Sequence, residues 1–437
     1  MNKTIISLAA AAAMPLLSAE SKSPNIVLIM ADDMGYECIG ANGGTSYKTP
    51  NIDKLASQGV RFVNCQAQAL CTPSRVKIMT GQSNIVNYTK FGSLRRDART
   101  FGNAFRDAGY KTCIIGKWQL GDEKDSPVHF GFDEAFLWQH RKPRQVNKSD
   151  TRYTCPQLEL TKRTSDGKIV YDAKRYMGKY SSDLLTDYAC DFLDRNRKQP
   201  FLLYYPMVLV HCPFSPAPGT KAYDPDSLGS KTYKGNPKYF KSMVEYTDKC
   251  VGRIMNKLDA LGLRENTIVI FTGDNGTDKP IVSMMGSKKV IGSKGKTIEW
   301  GTHVPFIASC PGAIPAGKVN NDLIDFSDVF PTICDAAQVK SGVDSMTGKT
   351  FFPQLKGQEG NPRKWLYCWY NRSGKKGEEK VFARNLRYKL YSNGNFFDVI
   401  DDIQEKHAVK EGKMNKEMLK VRDDLKQVIK DFSSYRK

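Results

Sequence analysis

Four short apolar runs, each leading into a charged or ligating side chain, constrain this chain more than any other feature. Asn25–Met30 (NIVLIM) runs into Asp32-Asp33, and Thr112–Ile115 (TCII) leads into Lys117. Phe201–Tyr205 (FLLYY) reaches His211 after a short extension, and Thr267–Phe271 (TIVIF) runs into Asp274-Asn275. Continuous apolar runs of this length suit strands buried on both faces, as in parallel sheets. Helical patterns lie between them: 50–58 opens on a proline, 182–195 places Leu184, Leu185, Tyr188, Phe192 and Leu193 on one face, and 241–261 does likewise. Alternating strands and helices predict an α/β fold with a large mixed, mainly parallel sheet flanked by helices. Ligands of open α/β sheets bind beyond the carboxyl ends of the strands. Any one such ending is usually a turn or a helix cap. Four together predict one shared site.

Beyond residue 360 the pattern changes. Lys364–Tyr370, Lys380–Arg384 and Arg387–Tyr391 read as short antiparallel strands separated by Gly/Asn turns. In the tail, Met414, Met418, Val421, Leu425 and Val428 share a helical face, suited to packing on that small sheet. We therefore divide the chain into a main domain, 23–360, and a small C-terminal α+β subdomain, 361–437.

The first 19 residues read as a secretory signal peptide: Lys3, an apolar stretch over 5–17, and small residues Ser18-Ala19 for cleavage. The apolar stretch is shorter than the roughly 20 residues a spanning helix needs, so we expect cleavage, export to periplasm or medium, and no stable membrane insertion. Eleven cysteines permit disulfides in an exported protein, but spacing does not give connectivity. The odd count leaves at least one outside any intramolecular bridge, and Cys71 is the candidate. No CxxC pair suggests a zinc-thiolate site. The net charge of +20 favours polyanions. Nucleic acid is disfavoured, since no helix-turn-helix, zinc-finger or RNP signature occurs; simple solubility explains the charge as well as any partner does.

The stretch Cys71-Thr-Pro-Ser-Arg-Val-Lys-Ile-Met-Thr-Gly81 carries the chemistry. Pro73 suits a first helical turn and sets residue 71 near a helix N-terminus, where free N–H groups and the helix dipole favour an anion. Arg75, one turn on, can meet the same negative charge. Asp32, Asp33, Asp274 and Asn275 offer only oxygen ligands, which suit Ca²⁺, or Mg²⁺, rather than zinc.

The stretch resembles the C-x-P-S-R…T-G signature of the type I sulfatases, in the alkaline-phosphatase-like superfamily. The resemblance extends to MADDMG around Asp32-Asp33, TPNIDKLASQGVRF (49–62), GKWQLG (116–121), HCPF (211–214), GDNG (273–276), GSKGKTIEWGTHVP (292–305) and DVFPTICDAA (328–337). It implies that a maturation enzyme oxidises Cys71 to formylglycine, whose hydrated aldehyde attacks sulfur and later expels sulfate. It also implies metal ligation by Asp32, Asp33, Asp274 and Asn275 together with residue 71. Lys117 and Lys294 would hold the sulfate, Arg75 would stabilise negative charge, and His211 would protonate the departing alcohol. Two positions depart from the pattern. Gln119 replaces the usual histidine of GKWHLG, which leaves a sulfate donor but no base. Trp300 replaces a glycine, with Thr302-His303 following, and we do not assign His303 the missing role.

The leading expectation is a sulfatase acting on a sulfated carbohydrate. A phosphatase or phosphonate monoester hydrolase of the same fold, and a non-catalytic protein that binds sulfated glycans, stay open. Segments 139–180 and 214–240 read as basic, Tyr- and Pro-rich loops near the strand ends. Arg141, Lys142 and Arg144 are candidates there for a second anionic group, although such a run is more often merely solvated.

Overall fold

A computed structural model of the chain describes residues 23–138, 140–141 and 145–436. The signal-peptide expectation, and those for Lys142 and Arg144, lie outside these residues. Ten strands form the main sheet: β1 (Asn25–Ala31), β2 (Val60–Gln66), β3 (Lys111–Lys117), β4 (Glu134–Trp138), β5 (Gln157–Arg163), β6 (Ile169–Arg175), β7 (Phe201–Pro206), β8 (Thr267–Gly273), β9 (His303–Ser309) and β10 (Lys318–Asp325). Their spatial order is β10-β2-β9-β8-β1-β7-β3-β4-β5-β6. The four apolar runs are the adjacent strands β8, β1, β7 and β3, all parallel, with β4 parallel beside β3. Towards the edges the sheet turns antiparallel, at β9 on one side and β5 on the other.

Each face of β1 enters a different core. Ile26, Leu28 and Met30 join one hydrophobic cluster, and Val27, Ile29 and Ala31 the other. The second face is covered by helices α1 (Pro50–Ser57), α4 (Ser181–Arg195) and α5 (Phe240–Ala260), the three helices legible from periodicity. The first face carries α2 (Cys71–Thr80), α3 (Phe101–Asp107) and α6 (Val329–Ala337). That cluster continues into a four-stranded antiparallel sheet, β11 (Leu366–Tyr370), β12 (Lys380–Arg384), β13 (Tyr388–Tyr391) and β14 (Phe396–Asp398). Helix α7 (Lys416–Ser433) lays Met418, Val421, Leu425 and Val428 on this sheet, as its stripe predicts.

Segment 139–180 corrects the sequence reading. It is not all loop, because β5 and β6 form a hairpin on the sheet edge, turning at Asp166-Gly167 with Gly167 at φ 82°. An Asp-Gly pair favours such turns. The signal was masked because β6 is exposed along most of its length and rich in charge, as edge strands often are. The cysteines also resolve simply: all eleven are free thiols.

Candidate functional site

Parallel register brings the strand ends level. Ala31 pairs with Gly273, so Asp32 and Asp274 leave neighbouring strands side by side, and Asp274 N–H donates to the Ala31 carbonyl at 2.9 Å. The backbone of Asp33 then donates to Asp274 Oδ1, and Asn275 Nδ2 to Asp33 Oδ1, both at 2.9 Å. Lys117, the last residue of β3, places Nζ 2.6 Å from Asp32 Oδ2. His211, beyond β7, points Nε2 at Asp33 Oδ2 from 3.7 Å. All six side chains are buried.

Helix α2 supplies the opposite wall. Leu70 is its extended N-cap, Cys71 its first residue, and Gly81 ends it at φ 66°, the left-handed cap that glycine suits. The helix is buried along its whole length, so Cys71 faces the strand ends rather than solvent. Its thiol donates to Gln119 Oε1 at 3.1 Å, and its sulfur lies within 4.8 Å of oxygens from both Asp32 and Asp274. One turn on, Arg75 donates to the Lys117 carbonyl at 2.7 Å and stands 3.6 Å from Asp274 Oδ2. Lys294 reaches Asp33 Oδ2 at 2.5 Å, and the next residue, Gly295, donates to the Ala69 carbonyl beside α2. The structure therefore brings the expected metal, nucleophile and sulfate residues into one cage: Asp32, Asp33, Cys71, Arg75, Lys117, Gln119, His211, Asp274, Asn275 and Lys294. Two of them adopt left-handed backbone, Asp33 at φ 62° and Gln119 at φ 55°. For glutamine that is a costly conformation, of the kind retained where a site requires it.

The electrostatics follow from burial in a crowd of charges. Burial raises Asp32, but Lys117, Arg75 and Lys294 outweigh it and hold its carboxyl below the ordinary value. Burial, reinforced by the other aspartates, pushes Asp33 up and Asp274 well up. The Cys71 thiol is raised by the same desolvation, against Lys117. His211 is driven well down by burial, then by Lys294, Arg152 and Lys117. Among the described residues, no hydrogen-bond donor meets the buried acceptors Asp32 Oδ1, Asp274 Oδ2 and Asn275 Oδ1. Buried oxygens of that kind normally have partners. Three such oxygens on residues that adjoin two neighbouring strand ends fit a hard divalent cation.

The cage opens into a cavity of about 740 Å³. Sequence reasoning overlooked several residues that line it. Arg152, 1% exposed, donates to His211 Nδ1, stacks 4.5 Å from the centre of Trp138 and pairs with Asp150. Only its burial distinguishes it from other basic residues of its segment, and burial is invisible in a basic stretch. Tyr233, from the 214–240 loop, sets its ring 6.5 Å from that of His211. Two considered residues lie elsewhere. Arg141 donates to the Asp122 carbonyl and covers Tyr171. His303 stacks on Tyr36 at 4.0 Å and bonds the Val63 carbonyl, so it does not replace the histidine absent at 119.

A family model described as Sulfatase matches residues 24–339. The chain belongs to the sulfatase family. A second model, N-sulphoglucosamine sulphohydrolase, C-terminal, matches residues 294–434, from Lys294 through the small sheet. N-acetylgalactosamine-6-sulfatase of Mus musculus is 31% identical over 378 residues, 79% of this chain and 69% of that protein. Arylsulfatase G of Mus musculus is 30% identical over 71% of this chain, but the match spans only 64% of its length. The crystal structure of Ps i-CgsB in complex with k-i-k-neocarrahexaose superimposes with a TM-score of 0.74 at 26% identity. That match covers 95% of this chain and 94% of that one.

Proposed function

We propose that this sulfatase-family protein hydrolyses sulfate esters of a sulfated carbohydrate, with Cys71 oxidised to formylglycine by a dedicated maturation enzyme. One observation carries the reading: Cys71 is the first residue of a buried helix and faces three carboxylates, two lysines, an arginine and a histidine. Asp32, Asp33, Asp274 and Asn275, with residue 71, would hold Ca²⁺ or Mg²⁺, and the orphan oxygens support that ligand set. When bound, the ion lowers the pKa of the hydroxyl that the hydrated aldehyde offers to sulfur and orients it.

The remaining work falls to the chain's own side chains. Lys117 and Lys294 grip sulfate oxygens, where charge accumulates during transfer. Arg75, held by the Lys117 carbonyl, has no hydrogen bond at Nη2 or Nε among the described residues and offers a rigid cation one turn into the helix. His211 donates its proton to the departing alcohol. Burial depresses its pKa most, and an arriving sulfate offsets the further depression that Lys294, Arg152 and Lys117 add. Gln119 donates to sulfate from the position the family usually gives to histidine. Export after signal cleavage completes the proposal; among the described residues no helix is long and apolar enough to cross a membrane.

The test coexpresses the chain with a formylglycine-generating enzyme and measures the mass of the peptide containing residue 71. Hydrolysis of one aryl alcohol's sulfate and phosphate esters follows, for the natural chain and Cys71→Ala. We expect an aldehyde at 71, sulfate turnover, and none in the variant. A thiol without turnover overturns the mechanism, and a preference for phosphate overturns the reaction class.

A further inference from the structure

The charges lining the cavity do not balance, and the surplus lies at its mouth. Among the described residues, six cationic side chains line it against one carboxylate, Asp278. Four of the six are already engaged: Lys117 with Asp32, Lys294 with Asp33, Arg152 with Asp150, and Lys234 with Asp278. Lys279 and Arg372 are the other two. Both are exposed, and neither meets a carboxylate in an ion pair among the described residues. They come from different parts of the chain, Lys279 from the loop after β8 and Arg372 from the loop after β11. The end of β11 belongs to the same site, since Tyr370 lines the cavity together with Arg372, Cys71 and Lys294.

Two exposed aromatic rings line the same cavity. Phe91 is 37% and Tyr233 57% exposed. Exposed rings offer flat apolar faces for the C–H faces of a sugar, and unpaired cations offer partners for its anionic groups. At about 740 Å³ the cavity lies in the upper part of the range for drug-sized ligands, roughly 300–1,000 Å³. A single sulfated sugar ring leaves much of it unfilled.

The geometry points to Lys279 and Arg372 as a second anion site, so that the substrate is an oligo- or polysaccharide bearing at least two anionic groups. One group meets the cage around Cys71, and another meets the mouth. The inference rests on the sulfatase reading for the first group and on the unpaired rim cations for the second.

The experiment uses the full mature chain with its formylglycine. Glucosamine 6-sulfate, with one sulfate, and a heparin tetrasaccharide, with several, compete against an aryl sulfate, and the ratio of their inhibition constants is measured. Because both constants come from one enzyme, a general loss of activity cancels in the ratio. We expect the natural chain to prefer the tetrasaccharide at low salt, and Lys279→Ala or Arg372→Ala each to shrink the preference about three- to fivefold. The double variant should shrink it about tenfold or more, and Lys279→Arg with Arg372→Lys should keep it. High salt should weaken the preference of the natural chain, as it screens exposed charges. Equal inhibition by both probes, an unchanged ratio in the alanine double variant, or loss of preference in the charge-conserving one overturns the inference. If the aldehyde is present but no aryl sulfate is cleaved, the activity reading fails. Direct binding of the same two probes by calorimetry then decides the rim separately, with the same ratios as criteria.

Discussion

Replacing Glu299 by glutamine tests how the C-terminal sheet is fastened to the segment that carries Lys294. The Glu299 carboxylate receives the Arg384 guanidinium from β12, Gln66 Nε2 at 3.0 Å, and has His303 Nδ1 at 3.2 Å. Arg384 is itself buried. Burial alone would raise the carboxyl, but Arg384, then His303 and Lys389, outweigh it and hold Glu299 at about 2, against 4.5 for a free side chain. A carboxyl held low stabilises the folded state fully above its unfolded pKa, and the contribution is lost as pH falls from 4.5 towards 2. At about 1.4 kcal/mol per pH unit, that interval corresponds to about 3 kcal/mol. The variant lacks this contribution at every pH and leaves Arg384 buried without its counter-charge, a kind of change that costs about 3–5 kcal/mol. Urea unfolding from pH 7 to pH 2 measures it, since an uncharged denaturant leaves the ion pair unscreened. Other acids are common to both proteins and cancel in the difference. We expect a gap of about 3 kcal/mol that holds down to pH 4.5 and closes towards pH 2. A gap below about 1 kcal/mol at pH 7, the range of exposed pairs, or one that does not narrow in acid, refutes the reasoning.

Three further outcomes are expected. Lys77→Met, which strips Asp325 of a buried partner at 2.5 Å beneath the Cys71 helix, should cost about 3–5 kcal/mol in urea, and adding Asp325→Asn should recover part of it. Calcium at about a hundred times its Kd should stabilise the natural chain by roughly 2.7 kcal/mol in a thermal scan, and Asp274→Asn should largely abolish the shift. A melting temperature indifferent to calcium and magnesium would count against the oxygen cage. Gln119→His, restoring a base next to Cys71, should raise kcat on an aryl sulfate about tenfold or more with little change in KM, and an unchanged kcat would show that turnover does not wait on that position.

The centre of the fold was legible because four adjacent parallel strands are apolar on both faces, and that leaves continuous runs in the sequence. The periphery was not. Strand β10 (KVNNDLID) carries no continuous apolar run, and β6 pairs by its backbone while most of its side chains face water. Within the site, residues adjoining a strand end or the signature helix were legible from local sequence. Arg152 was hidden because its role depends on burial beside Trp138 and on a histidine 59 positions away. The same holds for Glu299 and Arg384, 85 positions apart, whose pairing no local pattern announces.

The division between legible and hidden residues follows how the two layers of the site are built. Asp32, Asp33, Asp274 and Asn275 directly follow β1 and β8, and Lys117 ends β3, so a shift in any of them requires a shift of the sheet register. Lys279, Tyr233, Phe91 and Arg372 stand on loops, where insertion or substitution leaves the core untouched. Groups that must meet the reacting sulfate within a fraction of an ångström gain from rigid elements. Groups that choose among sugars do not need that precision. On the proposed reading the inner layer belongs to the reaction and the outer layer to the substrate. Arg372 brings the small C-terminal sheet into the outer layer. That sheet joins the main body through the cluster around Tyr367 and Trp369 and through Arg384–Glu299, so on the proposed reading changes in the β11 loop would alter substrate choice while Cys71 and its cage stay in place.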